Sequence, residues 1–160
     1  MTEFEIIDTA CDSVNPLLLL WAIGALFKDL YYRKPTRALA TFALLLGGLL
    51  LVYATMFLDK KLAIWSFFEA DYSTHTAFAI AVCIAITVSV EGAAKWAAIL
   101  LFVYATAMLY QGYHSLLDIV STAILIGLPL ISARRLSRML MQSHEHRLLS
   151  GQKLPLENEP

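Results

Sequence analysis

From Leu39 to Leu58 the chain runs for 20 residues without a charged side chain, and that stretch narrows the possible folds more than any other feature. A helix of that length matches the roughly 30 Å hydrocarbon core of a bilayer. Backbone amides in lipid must find partners inside their own segment, so such runs become helices. Four further segments read the same way: Pro16 to Tyr32, Ser73 to Val90, Ala93 to Tyr110, and Ser115 to Ala133. Composition agrees, with 59% of the 160 residues hydrophobic and 16% charged, against about 45–50% and 25% in a soluble domain. The expected fold class is all-α, a polytopic transmembrane bundle of about five spanning helices over residues 1–133, followed by a tail over 134–160.

The details refine that picture. Pro16 suits a first helical turn after Asn15, and Lys28 and Asp29 interrupt the end of the same segment. Leu62 to Phe68 is too short to span and reads as an interfacial turn with Trp65 at headgroup level. Trp21, Trp96, Tyr31, Tyr32, Tyr110 and Tyr113 read as interfacial belts, and Gly47-Gly48 as a place where helices could pack closely. Arg134 to Leu149 reads as a separate basic amphipathic helix with Leu136, Met139 and Leu140 against lipid. Gly151 offers it a stop, and Gln152 to Pro160 is polar enough to be disordered. There is no internal repeat, and Cys11 and Cys83 suggest neither a disulfide framework nor a zinc site. A net charge of −1 argues against a nucleic-acid partner.

Charge also suggests an orientation. The first fifteen residues hold Glu3, Glu5, Asp8 and Asp12, the opposite of a signal peptide's basic start, so the first apolar run is expected to stay as an anchor. Lys28, Arg33, Lys34 and Arg37, then Lys95, then Arg134, Arg135, Arg138, Arg147 and Lys153 fall on one side of a five-span chain. By the positive-inside rule that side is the cytoplasm, with the N-terminus outside. Lys60 and Lys61 are the exception, outside, where they could meet an anion or simply be solvated.

Chemistry enters with two histidines. His75 sits in Ser73-Thr74-His75-Thr76 and His114 in His114-Ser115-Leu116-Leu117-Asp118. Ionisable groups are costly near hydrocarbon, and a chain that places them there usually uses them. On a helix, His114 and Asp118 would share a face one turn apart, so the carboxylate could fix the imidazole tautomer and free the other nitrogen as a nucleophile. The topology brings His75 and His114 to the same membrane face. Ser73 and the amides at the start of its helix could bind phosphate oxygens. A lone interfacial histidine more often packs or faces water; two of them with an aspartate at one depth favour catalysis. His144-Glu145-His146 resembles a metal ligand pair, but residues two apart do not face the same way on a helix, and a solvated tail is the better reading.

These motifs resemble the second and third signatures of the type 2 phosphatidic acid phosphatase superfamily, which read Pro-Ser-Gly-His and Ser-Arg-x5-His-x3-Asp. The resemblance covers about residues 71–131. It implies that His114 is the nucleophile forming a phosphohistidine, that Asp118 orients it, that His75 protonates the leaving group, and that Ser73 helps bind the phosphoryl oxygens. It implies no metal and no other cofactor. Thr74 stands where the family has glycine, Tyr72 where it has proline, and Ala107-Met108 where it has Ser-Arg. The first motif, Lys-x6-Arg-Pro, is missing. Arg33-Lys34-Pro35 looks like a fragment of it but falls on the cytoplasmic side, which leaves Lys60 and Lys61 as stand-ins. Five spans replace the family's usual six.

The expected function is therefore an integral membrane lipid phosphatase or phosphotransferase acting on a phosphorylated lipid at the outer face. Losing the arginines favours a singly charged phosphodiester over a monoester with nearly two charges, as in the sphingomyelin synthase-like branch. Its phosphohistidine passes a head group to a lipid alcohol. A non-catalytic lipid-phosphate binding or transport protein is the other class. The compact size suggests a bacterial inner membrane.

Overall fold

The computed structural model describes residues 2–151. The expected disorder of Gln152 to Pro160 lies outside them, as do the side chains of His144, Glu145 and His146. Five α-helices carry the chain: α1 (Glu3–Tyr31), α2 (Pro35–Leu62), α3 (Thr74–Ser89), α4 (Ala93–Tyr110) and α5 (Leu116–Gly151), with one 3-10 turn at Ser66–Phe68. Four of them are long and apolar enough to cross a membrane, and α3, at 16 residues, is shorter. Its helix is about 24 Å long, below the thickness the expected five spans require.

The short helix is the centre of the bundle. α3 packs against α1, α2, α4 and α5, and most of its residues are buried. Ala77, Ala79, Ala81 and Ala85 leave room for neighbouring backbones to approach. Gly48 of α2 uses that room, since a Cβ there would lie 3.1 Å from the Ala81 Cβ. Gly47 faces open space, so only one of the two glycines serves close packing. The outward faces of the other helices expose Leu20, Phe42, Leu50, Phe102 and Leu128. A water-soluble chain rarely leaves so broad an apolar surface open, whereas lipid covers it at no cost. The protein is an integral membrane protein.

Three sequence expectations are corrected by local chemistry. The first helix starts at Glu3 and not at Pro16, which lies inside it. Thr2 and Glu5 form a reciprocal capping box: Thr2 Oγ1 accepts from the Glu5 amide and Glu5 Oε2 accepts from the Thr2 amide. The extra turns lay Ile7, Cys11 and Val14 against the core. Lys28 and Asp29 do not end the helix; they fasten it. Buried Asp29 accepts a 2.5 Å hydrogen bond from Ser89 Oγ, which lies 2.6 Å from Thr41 Oγ1, so α1, α2 and α3 meet in one polar knot. Lys28 Nζ donates to the Ser89 carbonyl.

The second correction concerns the tail. No separate amphipathic helix begins at Arg134, because α5 runs unbroken through the expected boundary at 133/134. Nothing between Ile131 and Arg138 breaks a helix, and Arg138 turns inward to donate to the Thr87 carbonyl at 2.9 Å. Leu136, Met139 and Leu140 are exposed, as an apolar face would be. The third refines the reading of Trp65, which is packed inside the protein and does not lie open to head groups. Its indole donates to Ser121 Oγ at 2.9 Å and its ring packs edge-on against Tyr72 at 5.0 Å.

Candidate active site at one end of the bundle

The α2–α3 connection, which leads into His75, and the α4–α5 connection, which carries His114, are tied together by one carboxylate. Ser115 precedes α5 and Asp118 is its third residue. The Asp118 amide donates to Ser115 Oγ, and Asp118 Oδ2 accepts from the Ser115 amide at 2.7 Å, a capping box again. Asp118 Oδ1 accepts from the Asp71 amide at 2.7 Å, across to the loop before α3. A second tether runs from the Ser73 amide to Thr122 Oγ1. Asp118 itself is buried, its bonds to Asp71 and Ser115 lie part-buried at the end of the bundle, and the Ser73–Thr122 tether is buried.

His114 therefore stands outside the helix. It lies in the bend before Ser115, and the expectation that it shares a helical face with Asp118 is corrected: α5 begins two residues after it. The pair still meets. His114 Nδ1 lies 3.8 Å from Asp118 Oδ2, too long for a hydrogen bond, and Nδ1 is buried with no other partner. Catalytic hydrogen bonds are often long before substrate binds and tighten on binding. Burial pushes the His114 imidazole below its ordinary value; the Asp118 and Asp71 carboxylates pull it partly back, and nearby His75 pushes it down. The neutral, nucleophilic imidazole is the favoured form at pH 7.

His75 is the second residue of α3 and is exposed. It shares with His114 a cavity of about 120 Å³, lined also by Cys11, Asp12, Tyr104, Met108 and Tyr113. Asn15 Nδ2 approaches both the His75 carbonyl and the Tyr104 hydroxyl at 3.5 Å, and Tyr113 donates to Asp8, so the extended start of α1 closes one side. Cys11 and Tyr104 also border a larger groove between α1 and α4, of about 510 Å³ and wholly apolar, with Trp21, Trp96 and Leu100 in its walls. A polar pocket thus opens beside a hydrocarbon-sized channel.

The remaining expected residues fare differently. Ser73 is fully buried; its hydroxyl donates to Thr76 Oγ1 at 2.8 Å and accepts from the Thr76 amide, which makes it the N-cap of α3. Lys60 and Lys61 end α2, exposed, with Lys61 over the Phe57 ring, and neither lines the histidine cavity. Asp12, Cys11 and Tyr104 were not foreseen: Thr2-x-x-Glu5 could have signalled that α1 starts this early, but nothing local places its first turns, or Tyr104 of α4, beside the histidines. Asp71 and Ser115 enter through their backbones, and Ser115-x-x-Asp118 was a legible capping signal. Among the described residues no three His, Cys, Asp or Glu side chains are grouped to hold a metal ion. Compared with protein-family models, curated proteins and solved structures, the chain matches none.

Proposed function

We propose that the protein is a membrane enzyme that transfers a phosphoryl or phospho-head group on a lipid through His114. The observation that carries this reading is the meeting of His75 and His114 in one cavity, with Asp118 3.8 Å from the buried face of His114. The resemblance of residues 71–131 to the type 2 phosphatidic acid phosphatase motifs gives the same roles. His114 attacks phosphorus as the bond to the leaving oxygen breaks, and protonated His75 gives that oxygen its proton. The phosphohistidine then passes its group to water or a lipid alcohol, whose proton returns to His75. Asp118 ties, through Asp71 and Ser115, the two loops that bring the histidines together, and it stands 3.8 Å from His114 Nδ1, placed to orient the imidazole when substrate draws the pair closer. The groove between α1 and α4 takes the lipid chain. Ser73 is left out of phosphate binding, because its hydroxyl is spent inside the protein.

The substrate reading leans towards a phosphodiester. The cavity is lined by Asp12 and by no lysine or arginine, and a nearby carboxylate opposes a dianion more than a monoanion. On this reading the site faces the outer side and the basic end the cytoplasm. The test is turnover by purified protein on lipid monoesters and on phosphodiesters with an alcohol acceptor, beside His114→Ala and Asp12→Asn. His114→Ala is expected to abolish turnover, and Asp12→Asn to improve use of monoesters relative to diesters. Undiminished turnover by His114→Ala sinks the reading and leaves lipid-phosphate binding or transport.

A further inference from the structure

At the end of the bundle opposite the histidines, three separate segments converge on a second cleft of about 600 Å³. The α1–α2 connection contributes Arg33 and Lys34, the first turn of α2 contributes Arg37, the α3–α4 connection contributes Glu91, and α5 contributes Arg138. Four cations thus face one carboxylate. Arg37 pairs with Glu91 at 3.4 Å, and Arg138 spends one donor on the Thr87 carbonyl. The side chains of Arg33 and Lys34 have no polar partner among the described residues. The N-terminus of α2 opens into the same cleft, with Lys34 as an N-cap whose side chain makes no capping bond and no acidic residue in the first turn. Its amides and its dipole add to the attraction for an anion. Scattered topogenic charges need not converge; here residues far apart in the chain, from Arg33 to Arg138, line one concavity.

We infer that this cleft binds the phosphate head group of an anionic lipid, one carrying at least two negative charges. The cations balance such a head group after Glu91 has neutralised one of them. The cleft lies where spanning helices leave the bilayer, with exposed Tyr31, Leu39 and Met139 beside it in the chain to meet acyl chains. Basic pockets between helices at that level suit phosphate-bearing head groups. The inference is independent of the chemistry at His114.

The experiment uses the full chain in nanodiscs of neutral phosphocholine lipid containing a minor fraction of a lipid with two phosphodiester groups. Bound anionic lipid is counted by native mass spectrometry after release. Replacing Arg33 and Lys34 together by glutamine is expected to lower retention about tenfold or more. The pair Lys95→Gln and Arg135→Gln removes the same charge outside the cleft and is expected to leave retention unchanged. Glu91→Gln keeps every cation and should raise retention about fivefold, which tests the site even if the double variant misfolds. Equal loss from both charge-matched pairs, or no rise in Glu91→Gln, overturns the proposal. Displacement of the lipid by millimolar inorganic pyrophosphate, as effective as displacement by the head group, would assign the cleft to a soluble anion and overturn the lipid assignment.

Discussion

At the residue scale Asp118 and His114 do different work, although the sequence presents them as a pair. The Asp118 carboxylate accepts two backbone amides, one from the loop before α3 and one from the loop before α5, whereas His114 Nδ1 has no hydrogen-bonding partner. Asp118→Asn turns an amide group towards donors and should destabilise the protein by about 2 kcal/mol while stopping turnover. His114→Ala should stop turnover with stability within about 1 kcal/mol of the parent, since it removes no native hydrogen bond. Thermal unfolding in a fixed detergent separates the two. Ser73→Ala tests the proposal that the serine only caps α3: it should lose about 1 kcal/mol of stability, the cost of an N-cap, with KM unchanged. A raised KM at full stability would restore Ser73 to the phosphate site. The His114 imidazole also sets an acid limb. Its proton affinity is lowered by burial, so turnover should hold as pH falls to the ordinary imidazole value of about 6.5 and decline only below it. In that window the unfolded chain takes up the proton first, so the parent loses stability as pH falls and His114→Ala loses less. An acid limb, a fall in rate on lowering the pH, that sets in above 6.5 would contradict this.

At the element scale, what the sequence shows clearly is what local chemistry dictates. Leu39 to Leu58 lies within α2 and Ala93 to Tyr110, apolar apart from Lys95 near its start, is α4, because a long apolar run has no other stable form in lipid. What misled was the weight given to charged and special residues. Pro16 looked like a beginning and Lys28-Asp29 like an interruption near the expected end at Tyr32, yet Thr2 and Glu5 start α1, the helix runs to Tyr31, and Asp29 bonds to Ser89. The capping box lay in plain view at Thr2-x-x-Glu5; the pairing of Asp29 with residues 60 positions away did not. Gly47 and Gly48 are likewise indistinguishable in sequence and separated only by which one meets Ala81. Gly48→Val should destabilise the bundle by about 1–3 kcal/mol through overpacking. Gly47→Ala should be neutral or stabilising by up to about 1 kcal/mol, as alanine for glycine in an open helical site usually is. Similar behaviour of the two variants in thermal unfolding would mean that α2 does not pack on α3 through Gly48.

At the scale of the whole molecule the bundle keeps its two polar features at opposite ends, an acidic and histidine-lined cavity at one and a basic cleft at the other. The shared placement of His75 and His114 was legible from alternating topology, since helices α2 to α4 connect neighbouring ends in turn. The closure of their cavity by α1 was not, because Asp12, Cys11 and Asn15 carry no sequence signal that links them to residues 60 or more positions away. α3, the shortest of the five, is sheathed by the other four, and the segments at its two ends contribute to the two polar features. The central claim is covalent chemistry at His114, and it is most directly tested by trapping. Purified protein would be mixed with a labelled phospholipid, quenched at alkaline pH where phosphohistidine survives, digested and mapped by mass spectrometry. The account predicts a phosphoryl or phospho-head group on the peptide carrying His114, absent from His114→Ala. Label on another residue, or none in protein that is turning substrate over, would contradict it.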